Sequence, residues 1–173
     1  MNLDEKKRLA LLKRKNQFRL EAPKYLKKLE SIYGANSKFE IVQLEDVEEI
    51  HPRLRALGYV QKFSARYYVD DWTHIKSILH DLSPKLNSTN YFTIQSLSKY
   101  WFIKADTAFV IENFKSILEI DGDGFEVYDL GIRNGLRLEL YEHYYMFENE
   151  KIYGFGYEID LWGEDWISLL IDK

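Results

Sequence analysis

The chain has 173 residues, with 24 basic and 28 acidic side chains, no cysteine and a hydrophobic fraction of 46%. This composition excludes general disorder, and the lack of cysteine excludes disulfides, thiol nucleophiles and thiolate zinc sites. No apolar run approaches the length of a membrane span, and residues 1–8 do not resemble the start of a secretory signal. We therefore expect a cytoplasmic protein without a membrane partner, built as one α+β domain over residues 1–173.

Charge is unevenly distributed along the chain. Residues 1–40 hold 11 basic and 5 acidic side chains, whereas residues 121–173 hold 4 and 13. The net charges of these two segments are +6 and −9, so the overall charge of −4 hides a strong asymmetry. A basic start and an acidic end indicate surfaces that recognise partners of opposite charge.

The first forty residues predict two helices separated by a proline. Residues 3–21 are mostly strong helix formers, and seven of the residues between 6 and 19 are basic. Pro23 is expected to end this helix and to begin a second one over residues 25–33, which Gly34 closes. Residues 1–21 could therefore form a separate, projecting basic helix.

The middle of the chain alternates between helix and strand patterns. Helices are indicated where apolar residues recur every three to four positions, and strands where β-branched and aromatic residues cluster. Asp106 is expected to cap a helix whose buried residues are Val110, Phe114, Ile117 and Leu118. Before that helix we expect, in chain order, a strand at 38–44, a helix at 47–57, a strand at 59–69, a helix at 72–82, and strands at 91–94 and 100–103.

The last third of the chain is rich in strand patterns. Helices followed by runs of strands are typical of an α+β fold. We therefore predict a helical N-terminal half packed on an antiparallel sheet that is formed largely by the C-terminal third.

A long hairpin is predicted from two strands at 135–147 and 151–162, with a two-residue turn at Asn149 and Glu150. Alternating apolar residues define one core face for both strands, so a shift by a single residue is excluded. This register places Glu142 on the core face, opposite Tyr157.

The other face of the predicted hairpin carries an unusual set of charges. The same register places Glu139 opposite Asp160, with Glu158 diagonal to both, and Arg137 opposite Trp162. Like charges that face each other across two strands destabilise the pair. Either these carboxylates wait for basic groups on a partner, or they form a solvated face that Arg137 partly compensates.

The sequence contains no motif that specifies a reaction or a metal site. The sequence contains no GxxxxGK[ST] phosphate loop and no GxSxG nucleophile motif. The turn at 121–124 fails as a calcium loop because the twelfth position would be Leu130 instead of a glutamate. No two histidines lie three or four residues apart, so no helical metal site is visible, and we expect neither a metal nor a cofactor.

Three functions follow from these features. We predict foremost a stoichiometric inhibitor or neutraliser of a basic partner protein, such as a bacterial toxin-immunity protein or a phage-encoded inhibitor, whose partner could itself act on nucleic acid. The alternatives are a nucleic-acid-binding accessory protein that uses the basic N-terminal helix, and a small hydrolytic enzyme with an acid–base pair at Glu142 and His143. The expected partner-binding residues combine acidic and aromatic side chains: Glu139, Tyr141, Glu158, Asp160, Trp162, Glu164 and Asp165.

Overall fold

The structure is a computed structural model, and it describes residues 2–34, 39–58, 60, 62–68, 72–86, 88–94, 97, 101–122 and 124–171. Within these residues the chain forms six helices and seven strands. The helices are α1 (Leu3–Tyr33), α2 (Leu44–Leu57), α3 (Trp72–Leu86), α4 (Ala108–Glu112), α5 (Phe114–Asp121) and α6 (Glu164–Ile171). The strands are β1 (Phe39–Ile41), β2 (Lys62–Tyr68), β3 (Thr89–Ile94), β4 (Ile103–Asp106), β5 (Gly124–Tyr128), β6 (Gly135–Phe147) and β7 (Glu150–Trp162).

The strands form one antiparallel sheet in the order β1-β4-β3-β5-β6-β7-β2. The predicted α+β class is confirmed, because most of the paired strand residues come from β5, β6 and β7 in the C-terminal third. The strands from the first two thirds of the chain flank these three on both sides.

Helices cover the two faces of the sheet unequally. On the inner face, apolar side chains of α1, α3, α4, α5 and α6 pack against the sheet and form the main core, which includes Leu79, Trp101, Phe125 and Leu138. On the outer face, α2 covers only one end of the sheet, where a smaller cluster contains Ile50, Phe102 and Tyr128. The remainder of the outer face is polar.

The predicted break at Pro23 is wrong, because α1 continues through it as a helix of 31 residues. The residues of α1 that face the sheet form one continuous stripe on both sides of the proline. Ala22 and Leu29 in this stripe are fully buried, and the centre of the Phe18 ring lies 6.2 Å from that of Trp101. Burial of this stripe outweighs the local cost of an interior proline. The helix therefore docks on the body, and Asp4 to Ala10, exposed on all sides, form its free end.

Two other helix predictions need correction. The helix α3 does not end at Ser83 and Pro84 but continues to Leu86, which is fully buried. The single helix predicted after Asp106 is divided at Asn113 into α4 and α5, although Asp106 does accept a hydrogen bond from the Ala108 amide at 3.1 Å.

The hairpin is confirmed, but its predicted turn and register are wrong. The turn residues are Glu148 and Asn149, both at positive φ, and Phe147 pairs with Glu150. The register is therefore displaced by two residues, so that Leu138 faces Ile159 and not Leu161. A displacement of two keeps every side chain on its predicted face and changes only its partner.

Candidate protein-binding surface

The hairpin β6–β7 extends well beyond the rest of the sheet. Pairing of β6 with β5 ends at Glu139, and pairing of β7 with β2 ends at Gly156. Beyond these points, residues 142–155 pair only with each other within the described backbone, over six residue pairs. At about 3.4 Å per residue, this segment, which we call the arm, projects by about 20 Å.

The arm exposes large aromatic side chains. Tyr153 is 63% exposed and Phe155 is 50% exposed, although both lie on the face that continues into the main core. On the same face, Glu142 lies opposite Phe155 and the Lys151 ammonium lies 5.1 Å from the centre of the Tyr153 ring, while Glu148 lies in the turn and Glu150 lies on the other face. The side chains of residues 143–147 and of 152 lie outside the described part of the structure.

The root of the arm is tightly packed. Tyr141 lies opposite Gly156, and a Cβ atom at Gly156 would lie 2.5 Å from both the Tyr141 ring and the Tyr67 carbonyl oxygen. Glycine is therefore required here for a close approach of ring and backbone. The Arg66 guanidinium lies over the Tyr141 ring at 5.2 Å, so β2 contacts this aromatic side chain of β6 across the intervening strand β7.

A buried charge network underlies the polar outer face beside the root. Asp160 on β7 is fully buried and accepts hydrogen bonds from Ser64 at 2.5 Å and from the Arg137 Nε at 3.1 Å, while the Lys62 ammonium lies 2.7 Å away. Burial alone would raise the pKa of the Asp160 carboxyl, but these donors on β2 and β6 outweigh burial and lower it. Asp160 is thus a structural anion held by two cations.

The other carboxylates of this face also have basic partners. Arg137 Nε lies 3.1 Å from Glu139, and Arg66 lies 3.4 Å from Glu158. Glu139 faces Glu158 directly, and it is Arg137 that faces Asp160, so the predicted pairing of Glu139 with Asp160 is wrong. The corrected register explains how three carboxylates can share one patch, because each has a basic neighbour on an adjacent position or strand.

A further carboxylate lies deeper in the same face. Glu126 on β5 is nearly buried and accepts a hydrogen bond of 3.0 Å from the Tyr128 hydroxyl. Burial raises the pKa of the Glu126 carboxyl, and the hydrogen bond from Tyr128 and the charge of Arg137 only partly oppose this rise. Glu126 therefore titrates closer to neutrality than its neighbour Asp160.

The structure brings most of the predicted binding residues together. Directly paired residues share a face, so Glu139, Glu158, Asp160 and Trp162 line the outer face, together with Tyr141. Trp162 is half-buried, with the Arg137 and Lys62 cations 5.6 and 5.7 Å from its ring centre. The two remaining predicted residues, Glu164 and Asp165, are exposed in the first turn of α6.

Sequence reasoning missed the exposed aromatic residues of the arm. It assigned Tyr153 and Phe155 to the core face, and their alternation with polar residues supports that face. The signal that could have revealed them is strand length. The strands β6 and β7 have 13 residues each, whereas the strands beside them, β5 and β2, have only five and seven. No core can therefore continue along the whole hairpin.

Glu142 stays on its predicted face, but it lies opposite Phe155 and not Tyr157, and its side chain is exposed because the core does not extend that far. Its proposed catalytic neighbour His143 has a side chain outside the described part of the structure. In the part that is described, no group of three or more histidine, aspartate or glutamate side chains could hold a metal ion. Among these same residues, no helix combines the length and apolar character needed to cross a membrane.

Comparisons of the chain with protein-family models, with curated proteins and with solved structures give no significant match.

Proposed function

We propose that this chain is a protein-binding module that inhibits or neutralises a basic partner protein in a stoichiometric complex. The observation that carries the proposal is the arm, a hairpin with more acidic than basic residues that presents Tyr153 and Phe155 to solvent. A binder of this kind needs no reaction chemistry of its own.

The exposure of the arm is the first argument. A hairpin of two strands without a third strand or a covering helix is at best marginally stable in water. Large aromatic side chains supply much of the binding energy at protein interfaces, and exposed apolar patches often mark such interfaces. Contact with a partner would bury Tyr153 and Phe155 and would support the hairpin.

Charge is the second argument. The arm carries three exposed carboxylates, Glu142 opposite Phe155, Glu148 in the turn and Glu150 on the other face, against one exposed basic residue, Lys151. Complementary charge accelerates association and selects among partners more than it adds affinity. A partner with lysine or arginine around an apolar depression would fit this arrangement.

The predicted binding residues take different roles in this proposal. Tyr141, Glu139 and Glu158 lie at the root of the arm on the outer face, opposite the face that carries Tyr153 and Phe155, so they would contribute a second, separate part of the contact. Asp160 is fully buried and holds Lys62 and Arg137 in place, so it supports the surface from below.

The proposal is tested by affinity capture from a native lysate with the tagged chain at low and high salt. We expect one basic protein to bind the wild type and to be lost at high salt. The double variant Tyr153→Ser/Phe155→Ser should lose it. Leu130→Ser is the matched control, since Leu130 is 45% exposed but lies in the β5–β6 connection, and it should retain the partner.

Calorimetry with the purified partner should then give a one-to-one complex for the wild type and for Leu130→Ser. Retention of the partner by the arm variant would contradict the proposal. Capture of nucleic acid alone would also contradict it and would favour the basic helix as the binding element.

A further inference from the structure

Exposed large apolar side chains in the described residues are concentrated in two places. Three are the leucines Leu9, Leu12 and Leu20 on α1, and two are Tyr153 and Phe155 on the arm. The other two, Val60 and Leu130, lie singly. Single exposed apolar residues are ordinary, whereas groups of them indicate contact surfaces.

Leu9 and Leu20 lie on the solvent face of α1, opposite its docked stripe. They are eleven residues apart, which is three helical turns, so they project on the same side. Leu20 is 82% exposed, and Lys13, Asn16, Gln17 and Glu21 of the same helix lie around it.

The two apolar groups carry opposite charge. The helix α1 holds ten basic and four acidic residues, and the exposed Lys6, Lys13, Lys24 and Lys27 surround its leucines. Arg14 and Lys15 are already paired with Glu48 and Glu45 of α2. The arm, by contrast, holds three glutamates and one lysine. The arm as a whole is therefore net acidic, although Lys151 lies over the Tyr153 ring, whereas the leucines lie on a net basic helix.

We infer that the chain forms a symmetric dimer in which the arm of each copy packs on the α1 face of the other. A twofold axis generates two identical contacts, in which each apolar group is covered by the other and a net acidic arm meets a net basic helix. Direct packing of two α1 faces would bring like charges together, and so would packing of two arms. The dimer uses the arm of the proposed function but does not depend on a foreign partner, because the purified chain alone suffices to test it.

The first test is the mass of the purified protein by light scattering and sedimentation, at concentrations up to about 100 µM and at low and high salt. We expect a dimer at low salt that dissociates several-fold more readily at high salt, since charged contacts are screened. Leu20→Glu and Phe155→Lys should each be monomeric, because each places a repelling charge in one half of the contact. Leu130→Glu, which adds a charge to an exposed apolar position elsewhere, should remain a dimer.

The decisive measurement mixes the two monomeric variants. In the mixture, the intact arm of Leu20→Glu can bind the intact α1 of Phe155→Lys, and the two altered sites carry opposite charges. We expect the mixture to form a heterodimer at least tenfold more tightly than either variant associates with itself. Circular dichroism of each variant establishes that it is folded.

Three results would overturn the inference. The first is a monomeric wild type, the second is a dimer that both variants leave intact, and the third is a mixture that stays monomeric although the wild type dimerises. None of these results bears on capture of a basic partner, so the proposed function stands or fails separately.

Discussion

Asp160 shows how the acidic end of the chain is stabilised at the scale of single residues. Its carboxylate is fully buried and is held by Lys62 and Ser64 of β2 and by Arg137 of β6. An unpaired charge at this position would be costly, and the three donors remove that cost. The sequence pattern placed this residue on the outer face but could not identify its donors, because β2 lies far from β7 in the sequence.

Replacement of Asp160 by asparagine should therefore destabilise the fold. Asp160→Asn leaves Lys62 and Arg137 without their shared anion, and we expect a loss of about 3 kcal/mol in the free energy of unfolding at neutral pH. Glu158→Gln is the control, because its ion pair with Arg66 is more exposed and should contribute less than about 1 kcal/mol. Urea unfolding measures both, and equal losses would contradict the assigned role.

The pH dependence of this loss has a defined sign. Because the pKa of Asp160 is lowered in the folded state, its stabilisation is present above the pKa of the unfolded chain and is lost as pH falls through the folded value. The difference between wild type and Asp160→Asn should shrink below about pH 4. A difference that grows with acidification would exclude this linkage.

At the scale of elements, the predictions failed where long-range packing decides the outcome. Local propensity ends a helix at Pro23, yet the buried stripe of α1 continues through it. Likewise, the turn of the hairpin places Glu148 at positive φ, which a sequence rule assigns to glycine or asparagine. Period-two alternation fixes the faces of a strand but leaves a shift of two undetermined, so the partners could not be predicted.

The continuous helix makes a test of Pro23 possible. The ring of Pro23 removes the backbone hydrogen bond to the Arg19 carbonyl, and residue 23 is exposed. Pro23→Ala should restore this bond and raise the free energy of unfolding by about 1 kcal/mol or more. The exposed substitution Glu30→Ala in the same helix should change it by less than about 0.5 kcal/mol. Chemical denaturation compares the two, and a destabilised Pro23→Ala would mean that the helix needs the proline.

At the scale of the whole molecule, the body and the arm differ in how far the sequence alone could predict them. The fold class and most of the helix-to-strand order were predictable, because they follow from apolar periodicity within single segments, whereas β5 and α6 were not predicted as separate elements. The arm was not predictable in the same way, because it results from a mismatch between strands that are distant in sequence. The candidate site was found only in part for the same reason.

Removal of the arm's aromatic side chains should therefore leave the fold intact. The double variant Tyr153→Ser/Phe155→Ser is expected to change the free energy of unfolding by less than about 1 kcal/mol, since both side chains are largely exposed. Leu138→Ala, in the buried part of the same hairpin, should cost about 3 kcal/mol. Thermal or urea unfolding tests this contrast, and similar losses for both variants would place the arm in the cooperative core.

The position of β2 in the sheet has a kinetic consequence. In the described residues, β2 pairs only with β7, and the paired residues are 88 to 100 positions apart in the sequence. During synthesis, β2 must wait until residues 156–162 of β7 emerge before its backbone groups and the apolar side chains of Phe63 and Tyr67 are covered. Closure of such a large loop is slow, so refolding is expected to be limited by this last pairing, and an incompletely made chain exposes an open strand to aggregation.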